Sequence, residues 1–267
     1  MFDRADVTYR YDGSFEGMLC CVFESFARRE LPASVAPPDR GQLTFTPEVW
    51  IETDPEHARR VFASVSKKIS KAAAQLVSDI FLSCMEEKEL ALIRFLRLGY
   101  RYGAAVMDML ADDTVNALYR AQLYLKNESH LTLEFLRFSE IKGVLIAQIE
   151  PQNFVLPKIQ EHFCARFSGE RFLIYDRPHQ AILAYQPFEA RIFSVEGFEL
   201  PKAEEEEQLY RDLWQHYYDS IAIKERENPV CRRNHMPKRY WNCMTEFQNL
   251  PREARRTLKN REETLLK

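Results

Sequence analysis

The sequence predicts an α+β fold: a helical N-terminal half, then an antiparallel sheet with packed helices in the C-terminal half. Three observations carry this expectation. Only eight glycines occur in 267 residues, too few for a chain built on long flexible loops. From Thr53 to about Asn127 the apolar residues recur at helical spacing, with breaks near Lys71, Glu87 and Ala111 to Asp113. Beyond His130 the period shortens to the alternation of strands. Residues 1–128 are therefore expected to be mainly helical with a short strand or hairpin. Residues 129–267 are expected to hold the sheet, its helices and a basic C-terminal motif.

Taken in order, VTYRYDGSFEGMLCCVFESFARREL reads as a strand, a turn at Asp12-Gly13 and a helix capped by Ser14, with Phe15, Leu19, Val22, Phe23 and Phe26 on one face. The Pro-rich LPASVAPPDRG reads as a loop and QLTFTPEVWIET as extended. Asp54 before Pro55 marks a helix start, because the carboxylate caps free N–H groups and proline has none to lose. Leu92, Phe95, Leu96, Gly99, Tyr100 and Gly103 form an apolar face whose glycines allow close packing. LTLEFLRFSEIKGVLIAQIEP reads as two strands joined through Ser139 to Gly143, and Leu156 to Phe167 as a helix ended at Ser168-Gly169. RFLIYDRPHQAILAYQPFEARIFSV supplies two or three antiparallel strands about the turn at Asp176 to Pro178. AEEEEQLYRDLWQHYYDSIAI reads as a helix whose acidic first turn suits the positive end of its dipole.

Hydrophobic residues at 46% and charged residues at 29% match a folded globular chain. No apolar run reaches the roughly 20 residues of a membrane span, and MFDRADVTYRYDG lacks a signal-peptide core, so a cytoplasmic protein with no membrane association is expected. Six cysteines without a C-x-x-C pair read as thiols, with Cys20, Cys21, Cys84 and Cys164 in apolar surroundings that suit buried ones. The net charge of −3 is unevenly spread. From Lys224 to Lys267 twelve cations face six anions, a local charge of +6, which leaves −9 on the preceding residues. Such a basic end attracts polyanions.

The segment NPVCRRNHMPKRYWNCMTEF concentrates this chemistry. Its cations can neutralise phosphates and its flat rings can stack on bases, so Arg226, Arg232, Arg233, Lys238 and Arg239 are candidate nucleic-acid contacts. Pro229 and Pro237 are expected to hold the segment irregular and extended, with the cations outward and Tyr240 and Trp241 as anchors. Cys231, His235 and Cys243 lack the fourth ligand and close pair of a structural zinc site, so no metal is expected. Neither a phosphate-cradling glycine loop nor a G-x-S-x-G nucleophile signature occurs, and no cofactor is expected.

The stretch SIAIKERENPVCRRNHMPKRYWNCMTEF resembles the C-terminal signature of a bacterial family described as DNA metabolism or repair proteins. ESHLTLEFLRFSEIKGVLIAQIEPQNFVLPKIQEHFCARFSGERFLIYD is similar to the same family's upstream pattern, and YDGSFEGMLCCVFE to its start. Position by position the resemblance singles out His130, Arg137, Phe138, Glu150, Pro151, His162, Phe163, Arg166, Phe167 and Asp176, then Arg226, Asn228, Pro229, Met236, Pro237, Arg239, Tyr240 and Trp241. Thr132 to Glu134 departs from the pattern before L-R-F, and Cys231 and Cys243 lie off it. Members are encoded beside a radical-SAM protein of DNA modification or repair, or are fused to a uracil-DNA-glycosylase-like domain. The resemblance implies an accessory protein that binds DNA or RNA, or a DNA-acting radical-SAM partner, through its basic segment. Arg137, Arg166, Asn228, Pro237, Tyr240 and Trp241 are then motif or structural residues. Two alternatives stand beside it. One is a glycosylase- or hydrolase-like enzyme using His130 or His162 with a carboxylate such as Asp176, with Arg137 and Arg166 holding phosphate. The other is a pure protein-interaction module.

Overall fold

The computed structural model describes residues 3–38, 46–198, 207, 210–214, 217 and 228–248. The fold is α+β, with a helical N-terminal half and a mixed five-stranded sheet in the C-terminal half. The chain forms two compact units, Met1–Lys126 and Asn127–Lys267.

In the first unit, β1 (Asp3–Arg10) is flanked by β2 (Glu30–Ala36) and β3 (Glu48–Trp50), both parallel to it. Parallel neighbours require a crossover, and α1 (Phe15–Ala27) supplies it between β1 and β2. The Ser14 hydroxyl accepts from Gly17 N at 2.9 Å, as the sequence predicts for a cap. A glutamate at that third position would complete a capping box, yet any Cβ on Gly17 would collide with Asp12, Thr53 and Tyr11. The expected loop at LPASVA is instead the strand β2. Pro32 fits there because β2 is an edge strand, where the missing N–H need not enter the ladder.

The helices follow their caps. Asp54 accepts from Glu56 N and His57 N at the start of α2 (Pro55–Lys68), and Ser70 accepts from Ala73 N at the start of α3 (Lys71–Leu82). They are followed by α4 (Lys88–Tyr102) and α5 (Asp113–Phe135). Tyr9, Tyr11, Met18, Leu76, Ile80 and Phe95 are among the fully buried side chains of this unit's core. On the predicted apolar face of α4, Gly99 lies so close to Ile69 that a Cβ there would require the Ile69 side chain to shift. Tyr11 donates to the buried Glu89 carboxylate at 3.1 Å, so the core carries a polar pair that is hydrogen-bonded.

The second unit holds β4 (Ser139–Ile141), β5 (Val144–Ile149), β6 (Phe172–Asp176), β7 (Ala181–Gln186) and β8 (Glu189–Ser194), in that spatial order. Three pairings are antiparallel, but β5 and β6 are parallel, so the sheet is mixed. The cause is α6 (Leu156–Arg166), which carries the chain back so that β6 runs the same way as β5. LTLEF is a second correction, since Leu131–Phe135 form the last turns of α5 rather than a strand. The β4–β5 hairpin turns at Lys142 and Gly143, both at positive φ, 52° and 73°, the geometry a tight two-residue loop demands. Phe138 packs edge-on against Phe163, Phe167 and Phe172, joining α6 to the sheet. Of the predicted acidic-led helix, residues 207, 210–214 and 217 are helical and the rest lies outside the described residues. No described helix is long and apolar enough to cross a membrane.

Candidate nucleic-acid interface

The basic segment is helical, which corrects the extended loop expected from its prolines. Asn228 accepts from Cys231 N at 2.9 Å and caps α7 (Pro229–His235), with Pro229 in the first turn where its missing N–H costs nothing. Pro237 follows the helix, and a 3-10 turn (Lys238–Cys243) and α8 (Thr245–Gln248) complete the segment. Both prolines thus bound a helix instead of preventing one.

Trp241 organises the local side chains. Its indole N–H donates to Met236 O at 3.1 Å and its ring stacks on Phe247 at 4.7 Å between centroids. The Arg232 guanidinium lies 5.4 Å and the Lys238 ammonium 5.8 Å from the ring centre, both within cation–π range. Arg233 is half-buried and Lys238 is exposed. Three cations therefore sit on one short segment whose aromatic anchor is itself hydrogen-bonded and stacked. Arg226 lies outside the described residues.

Arg239 does not face outward with them. Its Nη1 forms an ion pair at 3.1 Å with Glu128, whose side chain has no solvent exposure. Glu128 also accepts from Asn153 N at 2.7 Å, Asn153 Nδ2 at 2.6 Å and Gln152 N at 3.1 Å. Arg239 Nη2 donates to Tyr240 Oη at 2.9 Å, and Tyr240 packs on Phe135 at 5.4 Å. A buried carboxylate needs such partners, since desolvation without them costs several kcal/mol. Arg239 and Tyr240 therefore tie the basic segment to α5 and to the loop after β5.

The candidate catalytic residues do not assemble as a group. His130 is exposed and pairs with Glu134 one turn along α5 at 3.1 Å, while His162 is exposed on α6 with its ring edge-on to Phe163. Asp176 is fully buried at the end of β6 and faces His179, whose Nδ1 is 2.8 Å from both carboxylate oxygens. Burial pushes the Asp176 carboxyl above its ordinary range, with hydrogen bonds from His179 pulling back and the charge of Glu128 adding to the rise. Arg137 Nη1 donates to Glu134 O and Leu136 O at the end of α5, and exposed Arg166 lies 5.8 Å from the Phe167 ring. His179 and Glu128 escaped the sequence reading, although D-R-P-H and N-E-S-H stand beside residues that it singled out.

Among the cysteines, Cys20 and Cys21 are buried as expected, but Cys84 is exposed and Cys164 half-buried. Among the described residues no group of three or more His, Cys, Asp or Glu side chains is placed to hold a metal ion. The pattern of the DUF4130 family, a domain of unknown function, matches residues 86–246, more than half of the chain. The chain belongs to the DUF4130 family. The matched DUF4130 region includes Glu128, Asp176, His179 and the whole segment from Asn228 to Trp241. No curated protein and no solved structure matches the chain.

Proposed function

We propose that this DUF4130 protein is an accessory of DNA repair or modification that binds nucleic acid through Arg232, Arg233 and Lys238. The observation that supports this most is local. Arg232 and Lys238 both lie within cation–π range of the Trp241 ring on a segment held to its own unit by the Arg239–Glu128 pair. Cations fixed beside an aromatic suit a strand whose phosphates need neutralising. The resemblance supplies the context, in which a radical-SAM partner brings the iron-sulfur chemistry. Fluorescence anisotropy with labelled single- and double-stranded DNA tests the reading. Joint charge reversal, Arg232→Glu, Arg233→Glu and Lys238→Glu, is expected to abolish binding, and unchanged binding would remove the claim. Capture of the partner that survives nuclease and high salt would favour a protein-interaction module.

One observation favours a second reading, a hydrolase- or glycosylase-like enzyme. Asp176 is buried and orients a half-buried imidazole, the relation by which a carboxylate positions a general base. Cleavage or base release from labelled oligonucleotides, lost in His179→Ala, is its expected outcome. No turnover by the wild type would eliminate it.

A further inference from the structure

A groove of about 330 Å³ opens between α1, α2 and α4 in the first unit. Phe23 and Phe26 line it from α1, Val61, Ser64 and Lys68 from α2, and Tyr100 from α4. Steps of three and four residues keep the contributions of α1 and of α2 each on one face of its helix. Phe23, Phe26 and Tyr100 are only half-buried, so three aromatic side chains keep part of their apolar surface in water.

The hydroxyls inside the groove are already used. Ser64 Oγ donates to Val61 O at 2.7 Å and is hydrogen-bonded to the Tyr100 hydroxyl. Burial pushes the Tyr100 phenol above its ordinary range, with the Ser64 bond pulling back, so it stays neutral. Charge stands at the rim instead. The Arg60 guanidinium lies over the Phe23 ring at 5.8 Å and the Lys68 ammonium over that of Tyr100 at 5.9 Å. Eight positions separate these cations on α2, about 12 Å along the helix. Both are exposed, and among the described residues no carboxylate forms an ion pair with either. Glu24 on α1 is taken by Arg28 at 2.9 Å, and the Asp54 carboxylate by two backbone N–H groups and His57.

We propose that this groove docks an acidic amphipathic helix of a partner protein. Apolar side chains on successive turns of that helix fill the groove, and carboxylates about eight residues apart meet Arg60 and Lys68. A helix fits because the bordering helices offer no sheet edge, so the guest must satisfy its own backbone hydrogen bonds. Nucleic acid fits less well. Bases stack on open ring faces, whereas Phe23 stacks on His57 at 3.9 Å, Arg97 lies over Phe26 at 5.8 Å and Lys68 over Tyr100. The site belongs to the first unit and does not rest on the nucleic-acid reading of the second.

The test uses the full chain and the fluorescence anisotropy of a labelled helical peptide. The probe carries two leucines on adjacent turns between glutamates spaced like Arg60 and Lys68, and a control copy has lysines in place of the glutamates. The wild type is expected to bind the glutamate peptide about tenfold or more tightly than the lysine copy, the sum of two exposed ion pairs gained against two repulsions. Joint Arg60→Glu and Lys68→Glu, shown to be folded by circular dichroism, is expected to reverse that preference, and exchange of the leucines for serines to abolish binding. The proposal is overturned if the wild type binds neither peptide or binds both equally, or if the doubly reversed protein keeps the wild-type preference. Binding that survives loss of the leucines would assign the attraction to surface charge alone and sink the groove. A single-stranded oligonucleotide that displaces the peptide from the wild type and fails to bind the doubly reversed protein would overturn the proposal in favour of nucleic acid.

Discussion

Arg239→Ala separates the structural from the binding cations. Removing one partner of a buried ion pair costs about 3–5 kcal/mol, because the remaining charge is left desolvated. Glu128 is fully buried but keeps its bonds from Gln152 N, Asn153 N and Asn153 Nδ2, and the Arg239 side chain is 33% exposed. These features place the loss near the lower end, about 3 kcal/mol. A unit of this size loses roughly 3–4 °C per kcal/mol, so Tm should fall by about 10 °C in a thermal melt followed by circular dichroism. Replacing both partners, Glu128→Gln with Arg239→Met, should recover much of the loss, since neither charge then stays buried alone. The opposite result is an Arg239→Ala protein with unchanged Tm and a DNA affinity lowered as strongly as in Arg232→Ala. Arg239 would then be an outward ligand after all.

Asn228→Ala removes the α7 cap and should cost about 1 kcal/mol locally, read as weaker DNA binding that substitution with serine restores. Gly99→Ala forces the Ile69 side chain to shift, a cost of roughly 1–3 kcal/mol set against about 1 kcal/mol of helix propensity gained, so urea denaturation should show a net loss of at most about 2 kcal/mol. Burial pushes the Asp12 carboxyl up, but hydrogen bonds from Ser14 and Thr53 outweigh it and hold the group below its ordinary range. A depressed folded value means stability that is present above the unfolded pKa of about 4 and lost as pH falls through the folded one. Asp12→Asn should therefore lag the wild type near neutrality and converge with it in acid, and an equal gap at both ends would contradict this. In a thiol-reagent time course, exposed Cys84 and Cys231 should react first and half-buried Cys243, whose thiol burial pushes up, more slowly.

Local signals were the most legible ones in the sequence. Ser14 and the Asp54-Pro55 pair announce α1 and α2 because a cap acts within three residues, and the structure shows those bonds. Leu131–Phe135 misled because alternating Leu and Phe around a β-branched Thr fits a strand. The helix continues through them all the same, with Thr132 Oγ1 bonded back to Glu128 O and Leu136 N to Thr132 O. The parallel β5–β6 pairing depends on where α6 returns the chain, which no window of sequence contains. The same limit governs the site. Cations and aromatics from Asn228 to Trp241 could be read as a group, but the burial of Arg239 depends on Glu128, far upstream on another element. Asp176 stood out in the sequence, whereas its partner proved to be His179, three residues on, and not His130 or His162.

The salt dependence of DNA affinity tests the central claim most directly. Three phosphates neutralised by Arg232, Arg233 and Lys238 give a slope of about −2.7 in log affinity against log salt on duplex DNA, a loss of about 40-fold between 50 and 200 mM. The wild type is expected to show that slope, and the variant with the three charges reversed to lose it. Affinity that stays flat across the titration, or no binding even at the lowest salt, would contradict it.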